Sequence, residues 1–431
     1  MLGRSHQAKY LYIGGSQVAT TPEHAAEADT ILRRLMTEHQ SDPYPLFARL
    51  RDLSPVHRSP LGGFWVLTRY DDVQKILKDK RFTRHFEDYH QRNSGLDPAT
   101  KRSFAESQGN WLIFSNPPEY HAKRAVYNSA IFSGSRVKDL RPFITEAADE
   151  LLNSAARRGE VDIVGELGYQ LTIKVMGHLM GLPGVDDIQP FIDWAAAVGP
   201  TFEPVVEGEV LRKADRAMDM LNGFLGDRIK QRRGGSGEDL LSRSVAAMEA
   251  GTLSEDEVLA NAGLLYIAGF ETTTHFLGNS VYSLLRNRDQ WQLLCSDAAT
   301  YIDGAVEELL RFESSVQAEP PHRIATEEIV LPTATIPAGD TVVPLMGAAN
   351  RDPERYPDPD RLDITRKDIR PLSFGGGIHV CIGQHLARLE ANIVLGELAR
   401  RFPGMQLIDE QPQWIGGITA RGMHRLKVQL K

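Results

Sequence analysis

A glycine-rich loop around Cys381 constrains the fold of this chain more than any other feature. It reads Phe374-Gly375-Gly376-Gly377-Ile378-His379-Val380-Cys381-Ile382-Gly383, and an apolar-periodic helix follows it. A thiol just before a helix N-terminus lies near unpaired backbone N–H groups and the positive end of the helix dipole. The thiolate form is favoured there, and glycines let the backbone approach a flat partner closely. The loop therefore predicts an anionic cysteine in front of a helix.

Residue types alone leave three interpretations of Cys381 open. A zinc site could use His379, Cys381 and His385, but the chain has no Cys-x-x-Cys pair and a fourth ligand would have to come from elsewhere. A catalytic nucleophile would need a base and an oxyanion site. A buried structural cysteine is the default for an isolated thiol. The sequence around the loop has to decide between them.

Composition excludes several classes of protein. The 431 residues carry 49 Lys and Arg against 57 Asp and Glu, and the net charge of −8 argues against a nucleic-acid binder. The two cysteines, Cys295 and Cys381, rule out a disulfide framework and fit a reducing compartment. No apolar run is long enough for a membrane span, and residues 1–15 do not form a signal peptide. We expect a cytoplasmic protein.

The pattern of apolar residues predicts a mainly α fold with a smaller β-rich portion. Residues 56–58 and 64–67 are short β-prone runs that predict a hairpin, and the helix after it has Asp71 as its expected cap. Apolar positions then recur at helical spacing over residues 119–311. Residues 232–239 are interpreted as a surface loop between two helices rather than an interdomain linker.

The sequence pattern changes from helical to β-prone and irregular after Arg311. Residues 329–336 and 341–345 are β-prone, and the proline-rich stretch 350–371 predicts irregular structure. We expect one domain spanning residues 1–431, with roughly the first 20 residues disordered.

The cysteine loop resembles the Phe-Gly-x-Gly-x-His-x-Cys-x-Gly signature of the cytochrome P450 family, the haem-thiolate monooxygenases, at every fixed position. The resemblance implies that Cys381 is the axial thiolate ligand of the iron of a b-type haem. It also implies that Phe374 packs beside the sulfur and that Gly383 permits close N–H approach to it. The haem is expected between a long central helix and the cysteine-ligand loop and helix.

Two further motifs extend the resemblance. Glu308-Leu309-Leu310-Arg311 is similar to the family's Glu-x-x-Arg motif, and Arg361 stands where the family places a third member of a fold-locking triad. Taken alone, a Glu and Arg pair at this spacing is an ordinary surface ion pair. The resemblance instead implies a buried structural network.

Residues 264–274 form an apolar helix that a carboxylate and three threonines interrupt. A threonine hydroxyl can bond a carbonyl one turn back and bend the helix. The segment resembles the family's central helix, which implies that Glu271 and Thr272 are the acid and alcohol of oxygen activation. Ala268 and Gly269 are expected beside the haem, where Gly269 leaves room for the ligand.

Haem propionates need cationic or donor partners. By resemblance, His379 and Arg323 fall on positions that supply them. Residues 116–124 match a family segment in part, because Tyr120 replaces the usual histidine and Ala122 the first arginine. Arg124 is retained, and the Tyr120 phenol could still donate.

The resemblance implies insertion of one oxygen atom from O2 into a hydrophobic small molecule, by hydroxylation or epoxidation. Electrons are expected from NAD(P)H through a separate ferredoxin and ferredoxin reductase, because no glycine-rich dinucleotide fingerprint follows a strand. The alternatives are a peroxygenase, isomerase or nitric oxide reductase of the same family, or a non-catalytic haem-binding protein. We expect a monomer.

Pocket walls are also expected by resemblance, although each could equally be core packing. Their mostly apolar character suggests a polyketide, terpenoid or macrolide-like intermediate of specialised metabolism. The expected wall residues are Trp111, Ile113, Phe114, Val198, Phe202, Leu264, Leu265, Ala268, Val316, Gln317 and Ile418.

Overall fold

Helices form most of the described chain, as the apolar periodicity predicts. The computed structural model describes residues 9–13, 16–38, 41–84, 103–128, 134–182, 184, 187–320 and 322–431. The α-helices are α1 (Pro22–Thr37), α2 (Tyr44–Leu53), α3 (Tyr70–Lys78), α4 (Ser103–Asn110), α5 (Glu119–Tyr127), α6 (Gly134–Asp139), α7 (Arg141–Arg158), α8 (Gln170–Leu179), α9 (Gln189–Val198), α10 (Gly208–Gln231), α11 (Leu240–Glu249), α12 (Glu255–Arg286), α13 (Arg288–Ser296), α14 (Ala298–Phe312), α15 (Met346–Ala349) and α16 (Gln384–Arg401). Shorter 3₁₀ turns lie at Leu112–Phe114, Gly199–Phe202 and Gly377–His379, and a π-helical segment at Ile163–Tyr169.

Within the described residues, short strands form four small sheets. The strands are β1 (Lys9–Ile13), β2 (Ser16–Thr20), β3 (Val56–Arg58), β4 (Trp65–Leu67), β5 (Phe82–Thr83), β6 (Glu160–Asp162), β7 (Arg323–Ala325), β8 (Ile329–Val330), β9 (Thr335–Ile336), β10 (Thr341–Pro344), β11 (Gln406–Leu407) and β12 (Lys427–Gln429). The largest described sheet has the order β3-β4-β10-β7-β5, with Val342 of β10 opposite Trp65 of β4 in a parallel pair. A second sheet has the order β11-β12-β6, and β1-β2 and β8-β9 are hairpins.

The 32-residue helix α12 is the axis of the helical part. A capping box starts it: Ser254 Oγ accepts the Glu257 N–H at 3.1 Å, and the Glu257 carboxylate accepts the Ser254 N–H at 2.8 Å. The helix is about 48 Å long at 1.5 Å per residue. It packs against α4, α8, α10 and α16, so most of its side chains lie in the main hydrophobic core.

Two other apolar clusters surround the β-rich portion. One joins α3 to strands of the five-stranded sheet, and the other joins α1 and α2 to residues 343–348 and Ile418. Among the described residues, none of the helices combines the length and apolar character that crossing a bilayer requires.

Several local expectations are confirmed. β3 and β4 form the predicted antiparallel hairpin, and residues 350–371 contain neither helix nor strand. Residues 232–239 connect α10 to α11, and both helices contribute to the main core, as expected of a surface loop. The expected disorder of roughly the first 20 residues is not found in Lys9–Ile13 and Ser16–Thr20, which pair as β1 and β2. Residues 1–8 and 14–15 lie outside the described residues.

Other local expectations need correction. Asp71 does not cap α3, because the N-cap position is Arg69 and Asp71 lies within the first turn, where its charge suits the helix dipole. Residues 329–336 are not one run of strand, because a turn in which the Leu331 N–H donates to the Ala334 carbonyl divides them into β8 and β9. The otherwise helical half also contains β6.

Candidate active site

The cysteine loop lies between the C-terminal end of α3 and the N-terminal end of α16. The Cys381 N–H donates to the Phe374 carbonyl at 2.9 Å and closes the loop. Gly375 and Gly377 have φ values of +68° and +66°, which glycine adopts without strain. A Cβ at Gly377 would lie 2.6 Å from the Leu77 carbonyl oxygen of α3. Glycine therefore allows both the turn and the close contact that fix the position of Cys381.

The Cys381 sulfur is suited to bind a metal ion. Burial raises the pKa of the Cys381 thiol, while the N–H groups of Gly383 and Gln384 and the charges of Arg124 and Arg388 oppose that rise. This corrects the expectation that the helix N-terminus alone makes the cysteine an anion, because burial outweighs it. The side chain is nevertheless accessible. A metal ion would displace the thiol proton, and the same N–H groups would then donate to the metal-bound thiolate sulfur.

A zinc site at the loop finds no support. Among the described residues, no three His, Cys, Asp or Glu side chains are grouped as metal ligands would be, which argues against His379, Cys381 and His385 acting together. Cys295 lies on α13 and is partly buried against the main core. Phe374 also packs against that core, and the Arg388 guanidinium lies 4.5 Å from its ring centre.

Helix α5 contacts the cysteine loop through the two residues that sequence analysis selected. The Tyr120 hydroxyl donates to the Ile378 carbonyl at 2.7 Å, and Arg124 Nη2 donates to the Val380 carbonyl at 2.6 Å. Arg124 Nη1 also donates to the Tyr120 hydroxyl at 2.5 Å. The Tyr120 and His379 ring centres are 4.3 Å apart. The structure thus brings Tyr120, Arg124 and His379 together beside Cys381.

A group of positive charges lies around His379. Burial lowers the pKa of His379 to about 2, and the charges of Arg84, Arg323 and Arg124 act in the same direction. Arg323 is buried on β7, where Nε donates to Glu319 Oε2 at 2.7 Å and Nη2 donates to the Leu77 carbonyl at 3.0 Å. Glu319 is therefore its immediate partner, which the sequence did not suggest.

Arg84 is a member of this group that sequence analysis missed. Its Nη2 donates to Glu319 Oε1 at 2.7 Å, and its Nε is buried with no partner among the described residues. Burial lowers the pKa of Arg84 to about 10. A single arginine after β5 carries no motif, so nothing in the sequence marked it.

The donor set fits the haem that the loop motif implies. Three arginines, Arg84, Arg124 and Arg323, lie around His379, and one carboxylate, Glu319, pairs with Arg84 and Arg323. The Arg84 Nε is buried with no partner among the described residues. Two propionates would balance this excess of positive charge and accept from the donors.

The predicted triad needs one correction. Glu308 and Arg311 form a fully buried ion pair, with Arg311 Nε 2.7 Å from Glu308 Oε2. The third guanidinium is that of Arg366, whose Nε lies 3.2 Å from Glu308 Oε1, and not that of Arg361. Arg361 is exposed and contributes only its carbonyl, which accepts from Arg311 and Arg366. The reason is that the chain turns after Arg361. The Asp363 N–H donates to the Glu308 carboxylate, and this bond brings the following residues, including Arg366, within reach of Glu308.

In the middle of α12, Ala268 is exposed and Glu271 and Thr272 are half-buried, whereas residues 261–267 are all buried. Thr272 Oγ1 donates to the Ala268 carbonyl at 2.9 Å, which confirms the predicted bond one turn back. Burial raises the pKa of Glu271 to about 8, so the carboxyl is mostly protonated at neutral pH. Gly269 makes room for Met176 of α8 and not for a ligand, because a Cβ there would overlap the Met176 sulfur.

The expected pocket walls divide into two groups. Trp111 packs on Phe114 and Phe202, with ring centres 6.1 Å and 5.8 Å apart. These rings lie in or against the main core, as do Ile113, Val198, Leu264 and Leu265. Val316 packs partly buried against the cluster around α3 and pairs with Ala420.

Gln317 and Ile418, the remaining expected pocket walls, lie in a different part of the fold. The Gln317 amide donates to the Ser314 carbonyl at 2.6 Å and lies against Gly347. Ile418 packs with α1 and α2, and both residues line a cavity of about 20 Å³ with Leu35 and Phe47. Both expectations are therefore corrected. A separate cavity of about 340 Å³ beside His57 and Asp29 lies outside this site.

Comparison with known proteins identifies the family. The cytochrome P450 family model matches residues 198–414. The chain is 36% identical to cytochrome P450 monooxygenase PikC of Streptomyces venezuelae, covering 92% of this chain and 93% of the relative. It is 34% identical to the mycinamicin IV hydroxylase/epoxidase of Micromonospora griseorubida, covering 89% and 94%. The solved structure of tirandamycin C-bound P450 monooxygenase TamI superposes with a TM-score of 0.80 at 33% identity, covering 90% and 98%.

The matches to the relative PikC and to the TamI structure extend over nine-tenths of the chain, and the family model includes its central helix and cysteine loop. The chain therefore belongs to the cytochrome P450 family, as an enzyme of the monooxygenase type with haem iron as its cofactor and dioxygen as its co-substrate.

Proposed function

We propose that this enzyme inserts one oxygen atom from O2 into a hydrophobic small molecule of specialised metabolism, by hydroxylation or epoxidation. The observation that carries the proposal is that Glu271 and Thr272 are adjacent, half-buried residues in the middle of α12. A carboxyl whose pKa lies near 8 holds a proton at neutral pH, and a neighbouring hydroxyl is fixed by its bond to the Ala268 carbonyl. Oxygen chemistry that must deliver protons is served by a positioned acid and by a hydroxyl that can orient a water molecule.

Cys381 would hold the haem iron, and Arg84, Arg124, Arg323, Tyr120 and His379 would surround its propionates. A haem with a thiolate ligand supplies one-electron and O2 chemistry, and its thiolate favours O–O cleavage. The N–H groups of Gly383 and Gln384 near the sulfur would tune its electron donation.

Glu271 and Thr272 have separate tasks in this proposal. Thr272 Oγ1 uses its proton toward the Ala268 carbonyl, so its lone pairs can accept a bond from a water molecule. Glu271 carries the proton that such a water needs, and regains it from solvent after each transfer. The hydroxyl therefore orients the water, and the carboxyl supplies the proton.

Aromatic and aliphatic walls support an apolar substrate. The Trp111, Phe114 and Phe202 rings and the side chains of Leu264 and Leu265 offer large apolar surfaces with few polar groups. Relatives whose names include mycinamicin IV and tirandamycin C point the same way. A polyketide or macrolide-like intermediate therefore fits best.

We also propose that the chain is a single monomeric haem domain of residues 1–431 that acts in the cytoplasm. Electrons would come from NAD(P)H through a ferredoxin and its reductase, because the sequence carries no dinucleotide-binding fingerprint.

The test is turnover of candidate substrates that first shift the haem spin state on binding. Haem-loaded protein with ferredoxin, reductase and NADPH under ¹⁸O₂ should give product that contains one ¹⁸O atom, and NADPH alone should give none. Product formed only with added hydrogen peroxide would favour the peroxygenase alternative. NADPH-driven turnover by the chain alone would contradict the separate electron donors.

A further inference from the structure

The carboxylate of Glu203 connects two distant parts of the chain. Glu203 follows the 3₁₀ turn Gly199–Phe202 between α9 and α10. Its Oε1 accepts the Thr419 N–H at 2.9 Å and its Oε2 accepts the Ile418 N–H at 3.0 Å. The Thr419 hydroxyl also donates to the Phe202 carbonyl at 3.1 Å. Three hydrogen bonds therefore hold this connection to a turn near the C-terminus.

The C-terminal turn is shaped to receive this carboxylate. Gly417 has a φ of +114°, and a Cβ there would overlap the Glu203 carboxylate. The other side of the turn is fixed, because the Gln317 N–H donates to the Thr419 carbonyl at 2.8 Å and Val316 pairs with Ala420. Glu203 thus binds to an anchored part of the fold.

The beginning of the same connection touches the proposed acid. A Cβ at Gly199 would lie 3.2 Å from Glu271 Oε1 and 3.5 Å from Oε2, so the Gly199 backbone packs directly beside that carboxyl. The segment of residues 199–203 is short, and two hydrogen bonds stiffen it. Thr201 Oγ1 donates to the Val198 carbonyl, and the Glu203 N–H donates to the Pro200 carbonyl. A displacement at Glu203 therefore reaches Gly199.

We infer that Glu203 is a positioning residue that clamps the α9–α10 connection onto the C-terminal turn and thereby holds Gly199 against Glu271. The inference rests on the proposed function for the role of Glu271, but the clamp itself does not. Glu203 has no ion-pair partner among the described residues, and backbone N–H donors bind both of its carboxyl oxygens. An amide in its place would set an NH2 group against those donors.

The variant is Glu203→Gln, and the matched control is Glu207→Gln, which makes the same change at an exposed position where the side chain does not cap α10. Hydrogen exchange on the haem-loaded protein should show amides of residues 199–206 exchanging about tenfold faster or more in Glu203→Gln only, because a hydrogen bond to a charged group is lost. This hydrogen-exchange measurement requires no turnover, so its outcome does not depend on the proposed function.

A second measurement separates positioning from general loosening. Infrared difference spectra against the matching Glu271→Gln variants should show the Glu271 carboxyl band shifted in Glu203→Gln and unchanged in Glu207→Gln, because that carboxyl loses its contact with Gly199. Equal exchange in all three proteins would overturn the inference. Faster exchange throughout α12 would overturn it as well, because the whole fold would then have loosened. An unshifted Glu271 band would also overturn it, because Gly199 would then not position that carboxyl.

Discussion

Arg366, and not Arg361, is the third guanidinium in the buried network around Glu308, and the stability of variants can test this assignment. Glu308 is fully buried and accepts four hydrogen bonds: two from Arg311, one from the Asp363 N–H at 3.0 Å and one from Arg366 Nε at 3.2 Å. Arg366 also donates to the carbonyls of Pro357, Asp358 and Arg361, so it ties the irregular loop to α14. The exposed Arg361 guanidinium takes no such part.

These contacts predict an order of stability losses. Arg311→Met leaves a buried carboxylate without its main partner and should cost about 3 to 5 kcal/mol. Arg366→Met removes one charge-assisted bond but leaves Glu308 paired with Arg311, so a loss of about 1.5 to 3 kcal/mol is expected. Arg361→Met should change stability by no more than about 0.5 kcal/mol, as expected of an exposed side chain.

The assay is urea unfolding of the haem-loaded protein, followed by circular dichroism and by the Soret band. Differences in midpoint at a constant denaturant slope report the change in the free energy of unfolding. A loss in Arg361→Met as large as that in Arg366→Met would refute the reasoning. So would an Arg366→Met protein as stable as the parent.

Three further predictions concern the candidate active site. Reduced protein with carbon monoxide should show the red-shifted Soret band of thiolate ligation, and Cys381→His should lose it while Cys295→Ala keeps it; loss in Cys295→Ala alone would reverse the assignment. Thr272→Ala should divert electrons from product to hydrogen peroxide while haem binding stays intact, whereas Glu271→Gln should slow turnover. Unchanged product yields and turnover rates in both variants would exclude these two residues as the proton route. Because the pKa of Glu271 is raised to about 8, the folded state holds this proton more tightly than the unfolded state, so stability should fall as pH rises from about 4.5 to 8. Unfolding titrations should show a smaller fall in Glu271→Gln, and identical pH profiles would contradict the raised pKa.

Local sequence patterns predicted those parts of the site that depend on local chemistry. The cysteine loop, the Thr272 bond to the Ala268 carbonyl and the Glu308–Arg311 pair each lie within a few residues along the chain, so spacing alone is informative.

Contacts between distant segments were less predictable. Glu319 binds Arg84 across 235 residues, and no pattern in either segment marks that pairing. Arg366 replaces Arg361 because of the turn between them, and Gly269 faces Met176 because of how α8 crosses α12. Gln317 and Ile418 turn toward α1 and α2 for the same kind of reason. Such contacts follow from how elements pack, which one sequence does not specify.

The position of Glu319 between Arg84 and Arg323 has a consequence for maturation. Both arginines are buried, and without a counter-charge two buried guanidinium groups would repel each other and turn toward solvent. The shared carboxylate holds them in place within the polypeptide itself, so the cationic side of the proposed haem site would be ordered before any haem binds. Haem would then enter a preorganised receptor and lose little binding energy to the ordering of side chains. Changes at Glu319 should therefore slow haem incorporation during expression more than they alter the chemistry of the mature enzyme.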